Sequence, residues 1–303
     1  MSKLTERQIN YHEGREILPQ YALRPMSPDD YVAWADLAGN SDYGAWPGLK
    51  PSNAEHDFVA MTKDTNISPA IFEVNRMVGA SLNLVKLDPK EHSLYLLVHM
   101  IGVDRRMQGK GIGNRLMNAN YGLITDGTLP ETIQEVRLTS DPLETTNVRF
   151  YMHRNGMTVS EYIPDVYKNL AASGGEQHKG LPTDRFLYRA KPKSKWVQER
   201  VLPSMEDYAI FLTTQDQKGY SLVDPVTFVD IPQNLEIIKA HSMDQARSWR
   251  QYQAEAFTAL FDKGYTAVDH IKGEKGQADN VVLMHGFDEN DPECLVRALS
   301  QMN

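Results

Sequence analysis

Residues 93–113 read Ser93-Leu-Tyr-Leu-Leu-Val-His-Met-Ile-Gly-Val103-Asp-Arg-Arg-Met-Gln108-Gly-Lys-Gly-Ile-Gly113. The stretch up to Val103 is too continuously apolar for a strand with one solvated face, so it predicts a central strand. After it, Ile112, Leu116, Ala119 and Leu123 recur at intervals of four, three and four, which marks one face of a helix ending near Ile124. Between strand and helix lie three glycines and three cations. Successive backbone N–H groups at a helix start make an anion site when no side chain obstructs them. Gly109, Gly111 and Gly113 let a ligand approach the backbone, while Arg105, Arg106 and Lys110 surround it with positive charge. A diphosphate is the natural guest. A P-loop needs Lys-Ser or Lys-Thr after its glycines, and none follows here. A dinucleotide loop needs G-x-G-x-x-G early in a repeated β-α-β wind. This G-x-G-x-G follows three strands, so neither pattern fits.

Working outward, residues 21–25 predict a short strand, and Ser27, Pro28 and Asp30 predict a helix start, with the helix reaching Leu37. Residues 40–66 read as a long loop with at most one helical turn. Strands are expected at 70–75 and 78–87, turning at Arg76-Met77, and again at 133–139. Asp141, Pro142 and Glu144 have capping-box spacing for a helix that ends at Asn155-Gly156. Strands at 157–163 and 185–190 follow, separated by a glycine-containing loop at 173–180. The order to residue 190 is then β-α-β-β-β-α-β-α-β-β. Residues 226–285 add a smaller β-α-β-β unit. The fold class is α/β, with a central mixed, mostly antiparallel sheet flanked by helices.

The chain has 303 residues and a net charge of -8. That balance argues against a nucleic-acid partner held by a basic face and against a polybasic membrane anchor. The acidity is uneven. Residues 194–303 carry 10 basic and 17 acidic side chains, which suggests a boundary between a domain at 1–193 and an acidic extension at 194–303. One cysteine, Cys294, allows no intrachain disulfide. No histidine pair has zinc-ligand spacing, so no metal is expected. An opening stretch without an apolar signal core, and no apolar run long enough for a membrane span, lead to the expectation of a cytoplasmic protein.

Gln108-x-x-Gly111-x-Gly113, after Met-Ile-Gly-Val103 and before a helix that ends at Gly156, resembles the Q/R-x-x-G-x-G/A signature of the GNAT acyltransferase superfamily. The resemblance covers about residues 20–190. Thr139-Ser-Asp-Pro-Leu, Pro182-Thr-Asp-Arg-Phe186 and Trp249-Arg250 extend it to a bacterial subgroup of GNAT-like proteins with a C-terminal extension.

The resemblance implies an acyltransferase that moves an acetyl or other short acyl group from acetyl-CoA, or another acyl-CoA, to an amine of a small molecule or peptide. The alternative is a non-catalytic acyl-CoA-binding sensor. The CoA diphosphate would sit on Gln108, Gly109, Lys110, Gly111, Ile112 and Gly113, with Arg106 beside it. Backbone groups of Ile101 and Val103 would hold the pantetheine arm, and Asn147 would also contact CoA. His99, on the face of Ile101 and Val103 by strand alternation, is the candidate general base, with a buried structural histidine as the competing reading. The family's thiolate acid is usually a tyrosine four residues before the helix-ending glycine. Met152 holds that place here, and Tyr151, one residue earlier, becomes the candidate. The loop residues Tyr43 and Trp46 are candidate walls of the acceptor pocket. A homodimer is an open expectation.

Overall fold

The computed structural model describes residues 6–8, 21–40, 42, 44–45, 54–63, 65–168, 180–215, 219–274 and 276–302. Tyr43, Trp46 and all of the 173–180 loop except its last residue lie outside them. In chain order the first elements are β1 (Glu6–Gln8), β2 (Tyr21–Pro25), α1 (Tyr31–Gly39), α2 (Ala54–Thr62), β3 (Pro69–Glu73), β4 (Arg76–Asp88), β5 (Ser93–Val103), α3 (Ile112–Thr125) and β6 (Ile133–Ser140). Next come α4 (Thr145–Arg149), continued by a π turn at Phe150–Arg154, then β7 (Thr158–Ile163) and β8 (Arg185–Ala190). The remainder holds α5 (Lys195–Glu199), β9 (Val201–Pro203), α6 (Met205–Gln215), β10 (Val226–Ile231), α7 (Leu235–His241), α8 (Met243–Asp262), β11 (Tyr265–Ile271), β12 (Asp279–His285) and α9 (Cys294–Ser300).

These elements divide between two compact units. One lies within His12–Leu138 and Lys191–Lys193, the other within Met1–Tyr11, Thr139–Ala190 and Ser194–Asn303. The acidic stretch after residue 194 therefore belongs to the same compact body as residues 139–190.

In the unit built on residues 21–138, the strand order is β6-β5-β4-β3-β2. Strands β2 to β5 pair antiparallel, and β5 pairs parallel with β6. Trp34, Leu37, Phe58, Phe72, Met77 and Leu82 form one buried cluster under α1 and α2. Ile71, Val78, Ile112 and Leu116 form another under α3. A Cβ at Gly79 would lie 2.7 Å from Ile112 Cγ2, so this glycine is what lets α3 settle on β4. A closed polar ring adds direction to that contact. Ser81 Oγ donates to Asn83 Oδ1 (2.7 Å), Asn83 Nδ2 to Asn120 Oδ1 (2.8 Å), and Asn120 Nδ2 to Ser81 Oγ (3.0 Å). All three residues are buried. Orphaning any one partner costs about 1–3 kcal/mol, so the ring fixes one registry of α3 on the sheet.

Two local expectations change. The β3–β4 turn falls at Val74-Asn75, with Val74 at φ 57°, because strand pairing continues to Glu73↔Arg76 and uses up the residues expected to turn. Within 40–66, α2 runs for nine residues. Its Phe58 packs on Trp34 at 5.2 Å, and this tertiary burial sustains a helix in an Asn- and Pro-rich neighbourhood.

Arg137, only 2% exposed, sits among three carboxylates. It donates to Asp88, Glu135 and Glu91 and lies over the Tyr95 ring at 4.3 Å. The Arg137 hydrogen bond, helped by the Glu91 and Lys90 N–H groups, holds Asp88 well below the usual carboxylate range. A depressed folded-state pKa gives stability that is fully present above the ordinary carboxylate pKa and is lost as pH falls below it. The melting temperature is therefore expected to hold between pH 7 and about pH 5 and to fall below about pH 4. In Asp88→Asn that acid limb should be shallower. An acid limb as steep as that of the unsubstituted protein would refute the assignment.

In the other unit the strand order is β10-β12-β11-β7-β8, all antiparallel, and β1 pairs with β9. The expected β-α-β-β series is present as β10, α8, β11 and β12. Helices α5, α6, α7 and α9 surround it, adding elements the sequence reading did not resolve.

Candidate functional site

Among the described residues, the C-terminal half of β5 is paired along one edge. Its ladder with β4 runs to Gly79↔Val103, whereas the ladder with β6 covers Leu94↔Ile133 to Leu97↔Arg137 and, among the described residues, goes no further. Asp104 N–H donates to Val78 O (3.0 Å), which fixes the phase of the antiparallel ladder. Residues 104, 102 and 100 direct their backbone groups to β4. Ile101 and Val103 consequently direct theirs to the opposite edge, beyond the last β6 pair. Main-chain N–H and C=O groups call for partners, and this edge has the geometry to pair with an extended segment.

His99 occupies the bulge of β5. Met100 opposes Leu82 and Val98 opposes Asn83, so His99 has no direct opposite. The extra residue breaks the period-two argument that set His99 on the face of Ile101 and Val103. His99 is exposed, which excludes the buried structural histidine.

Beyond Val103 the chain turns on Asp104, whose side chain is fully buried. The carboxylate accepts from the Arg106 backbone N–H (2.9 Å), from Arg106 Nε (3.1 Å) and Nη2 (2.8 Å), and from Arg76 Nη1 (2.7 Å). Burial alone would raise its pKa. The Arg106 hydrogen bonds and the Arg76 charge outweigh burial and hold it low. Arg106 is thus tied down by a carboxylate, and Arg76 also binds Glu73 (2.7 Å). The positive patch read from the sequence is in part neutralised from within. Arg105 and Lys110 remain at the surface, with Lys110 Nζ 3.4 Å from Met107 Sδ.

Gly109 (φ 76°) and Gly111 (φ 78°) are left-handed, a region that side chains with a Cβ disfavour. A Cβ at either would meet nothing within 4 Å. The glycines are therefore required by backbone conformation, and the space above them is open. Gly111 caps α3, and the first intrahelical bond is Arg115 N–H to Gly111 O. The N–H groups of Ile112 and Gly113 in the first turn consequently point out of the helix end, where the dipole is positive. Gly113 itself is helical.

Asn147 and Tyr151 belong to the other compact unit. Asn147 is half-buried on α4. Tyr151 lies in the π turn, 7% exposed, packed on Tyr188 (5.0 Å between centroids) and Phe150 (5.1 Å). Burial raises its pKa above the ordinary tyrosine value.

Asp141 does not form the expected capping box. Glu144, not Asp141, precedes the first helical residue, and the Asp141 carboxylate is bound elsewhere. It takes a bidentate pair from Arg250 (2.8 and 2.7 Å) and the Leu143 N–H (2.8 Å), with Arg185 Nη1 at 3.8 Å. Asp184 accepts from the Tyr162 hydroxyl and the Asp165 N–H, and lies 3.9 Å from Arg250 Nε. The Thr139–Leu143, Pro182–Phe186 and Trp249-Arg250 segments thus meet in one buried, charge-balanced cluster. Spacings of 43 to 109 residues hid this meeting from the sequence. Also missed was a buried Asp269, which accepts from Tyr208 (2.8 Å) and pairs with His153 Nδ1 (2.9 Å).

Among the described residues, no group of three or more His, Cys, Asp or Glu side chains could hold a metal ion. No helix among them is long and apolar enough to cross a membrane.

No protein-family model and no curated protein matches the chain. Solved structures that it resembles in fold include Naa50 of Arabidopsis thaliana in complex with the bisubstrate analogue CoA-Ac-MVNAL. The two are 16% identical over 56% of this chain and 98% of that one, with a TM-score of 0.42. An acetyltransferase of the GNAT family from Streptococcus pneumoniae is 16% identical over 56% and 98%, with a TM-score of 0.41. A polyamine N-acetyltransferase of Drosophila melanogaster, which forms N-acetylagmatine, is 15% identical over 56% and 99%, with a TM-score of 0.42. At these identities and scores the likeness assigns neither activity nor site residues.

Proposed function

We propose that the protein binds acetyl-CoA or another short acyl-CoA and transfers the acyl group directly to an amine in a ternary complex. The observation that carries this reading is the juxtaposition at the end of β5. An edge with outward-directed Ile101 and Val103 backbone groups runs straight into a left-handed Gly109–Gly111 turn at a helix start. The first suits an extended amide-containing arm and the second a diphosphate.

In the mechanism, Gln108 to Gly113 hold the diphosphate through backbone N–H groups, with Arg106 fixed beside them by Asp104. Backbone groups of Ile101 and Val103 hold the pantetheine arm, and a backbone N–H there polarises the thioester carbonyl. The acceptor amine must be neutral to attack, and His99 takes its proton directly or through water. The carbonyl carbon–nitrogen bond forms as the carbon–sulfur bond breaks. The leaving thiolate takes up a proton from water, and His99 gives the proton it removed from the amine back to solvent. An acyl-CoA sensor is the second reading, favoured by one observation: Tyr151 is packed among aromatic rings, and Met152, also buried, holds the place usual for the acid.

Release of free CoA from acetyl-CoA across a panel of amines separates the two. Transfer predicts amine-dependent release, reduced about 100-fold or more in His99→Ala with the Km for acetyl-CoA little changed. Binding of acetyl-CoA without release on any amine would favour the sensor and overturn the transfer step.

A further inference from the structure

Three aromatic side chains meet at the surface of the 139–303 unit, apart from the buried Asp141 cluster. Trp249 and Tyr252 are on α8, one turn apart, with ring centroids 6.0 Å apart and planes at 79°. Tyr220, from the segment before β10, stands 6.4 Å from Tyr252 at 56°. All three are half-buried, unlike Phe186 and Phe257 in the same unit, which are sealed in the core. Trp249 packs against the buried cluster of Leu143, Leu181, Leu235 and Ala246, which restrains its side chain. Asp230, exposed on β10, lies beside this group. Burial first, and the Asp230 charge second, push the Tyr252 hydroxyl up to about 12.

Adjacent rings at steep angles and about 6 Å spacing, with water access and a carboxylate at the rim, are the elements of an aromatic cage. The negative faces of such rings attract a large, weakly hydrated cation. Four arginines stack on other rings, yet among the described residues no Arg or Lys stacks on these three. The surrounding stretch, residues 194–303, has seven more acidic than basic groups, which favours a cationic guest.

We propose that Tyr220, Trp249 and Tyr252, with Asp230, form a binding site for an alkylammonium group such as a quaternary amine. The site is independent of the acyl-CoA reading and is tested without activity. Ligand-observed saturation-transfer NMR on the full chain would compare choline with its neutral isostere 3,3-dimethylbutan-1-ol. Choline should bind at least about tenfold more tightly, since only the charge differs. Tyr220→Ala, which spares Trp249, and Asp230→Asn should each weaken choline binding severalfold, with the circular dichroism spectrum unchanged. Equal response to the isostere, or no choline response, would overturn the proposal. So would choline binding that persists unchanged in both folded variants, because the cation would then be held elsewhere.

Discussion

Arg250→Ala should lose about 3–5 kcal/mol of stability, because it leaves the Asp141 carboxylate buried without its bidentate partner. Arg250 is 4% exposed and spends two N–H groups on Asp141 at 2.8 and 2.7 Å. Water cannot replace it without opening the contact between α8 and the segment after β6. For a body of this size, the loss corresponds to a fall of roughly 10 °C in melting temperature. Arg247, one turn earlier on the same helix, is the internal control. It pairs with Asp244 at 2.8 Å, but both side chains are exposed. Arg247→Ala should cost less than about 1 kcal/mol, in line with exposed pairs. Similar losses at the two positions would show that the buried cluster does not hold the unit together.

The second large effect concerns binding. Gly111→Val should weaken acetyl-CoA binding by at least about tenfold while changing the unfolding midpoint far less. A β-branched residue at φ 78° carries roughly 1–2 kcal/mol of backbone strain, and its side chain fills the space a diphosphate would occupy. A Cβ there meets no atom within 4 Å, so the cost to folding is the backbone strain rather than a Cβ clash. Gly79→Val should behave oppositely, because its Cβ would strike Ile112 at 2.7 Å and displace α3. It should lose about 1–3 kcal/mol of stability. Isothermal calorimetry with acetyl-CoA, paired with thermal melts, reads both effects. A Gly111→Val protein that binds as tightly as the unsubstituted chain would remove the loop from the site.

The strand and helix around Gln108–Gly113 were legible because both signals are local. An unbroken apolar run and a 3.6-residue stripe need no tertiary information, and β5 and α3 stand where those patterns put them. Helix α2 was not legible, because its stability comes from Phe58 packing on Trp34. Asp141 misled for a related reason. Its spacing to Pro142 and Glu144 satisfies a capping pattern, but a buried guanidinium from a helix 109 residues away binds the carboxylate more strongly than a helix N–H can. His99 sits on the expected strand, yet a bulge, which no periodicity announces, alters the face it presents. Within the loop, glycine spacing was readable. That Arg106 is committed to Asp104 was not, since the same residues are compatible with three solvent-facing cations or with a turn neutralised in part by its own carboxylate.

The most direct measurement is titration of the full, folded chain with acetyl-CoA by isothermal calorimetry, carried to about 1 mM ligand. The account predicts saturable binding at one site per chain, weakened by Gly111→Val. A folded sample that gives no heat of binding over that range would contradict it.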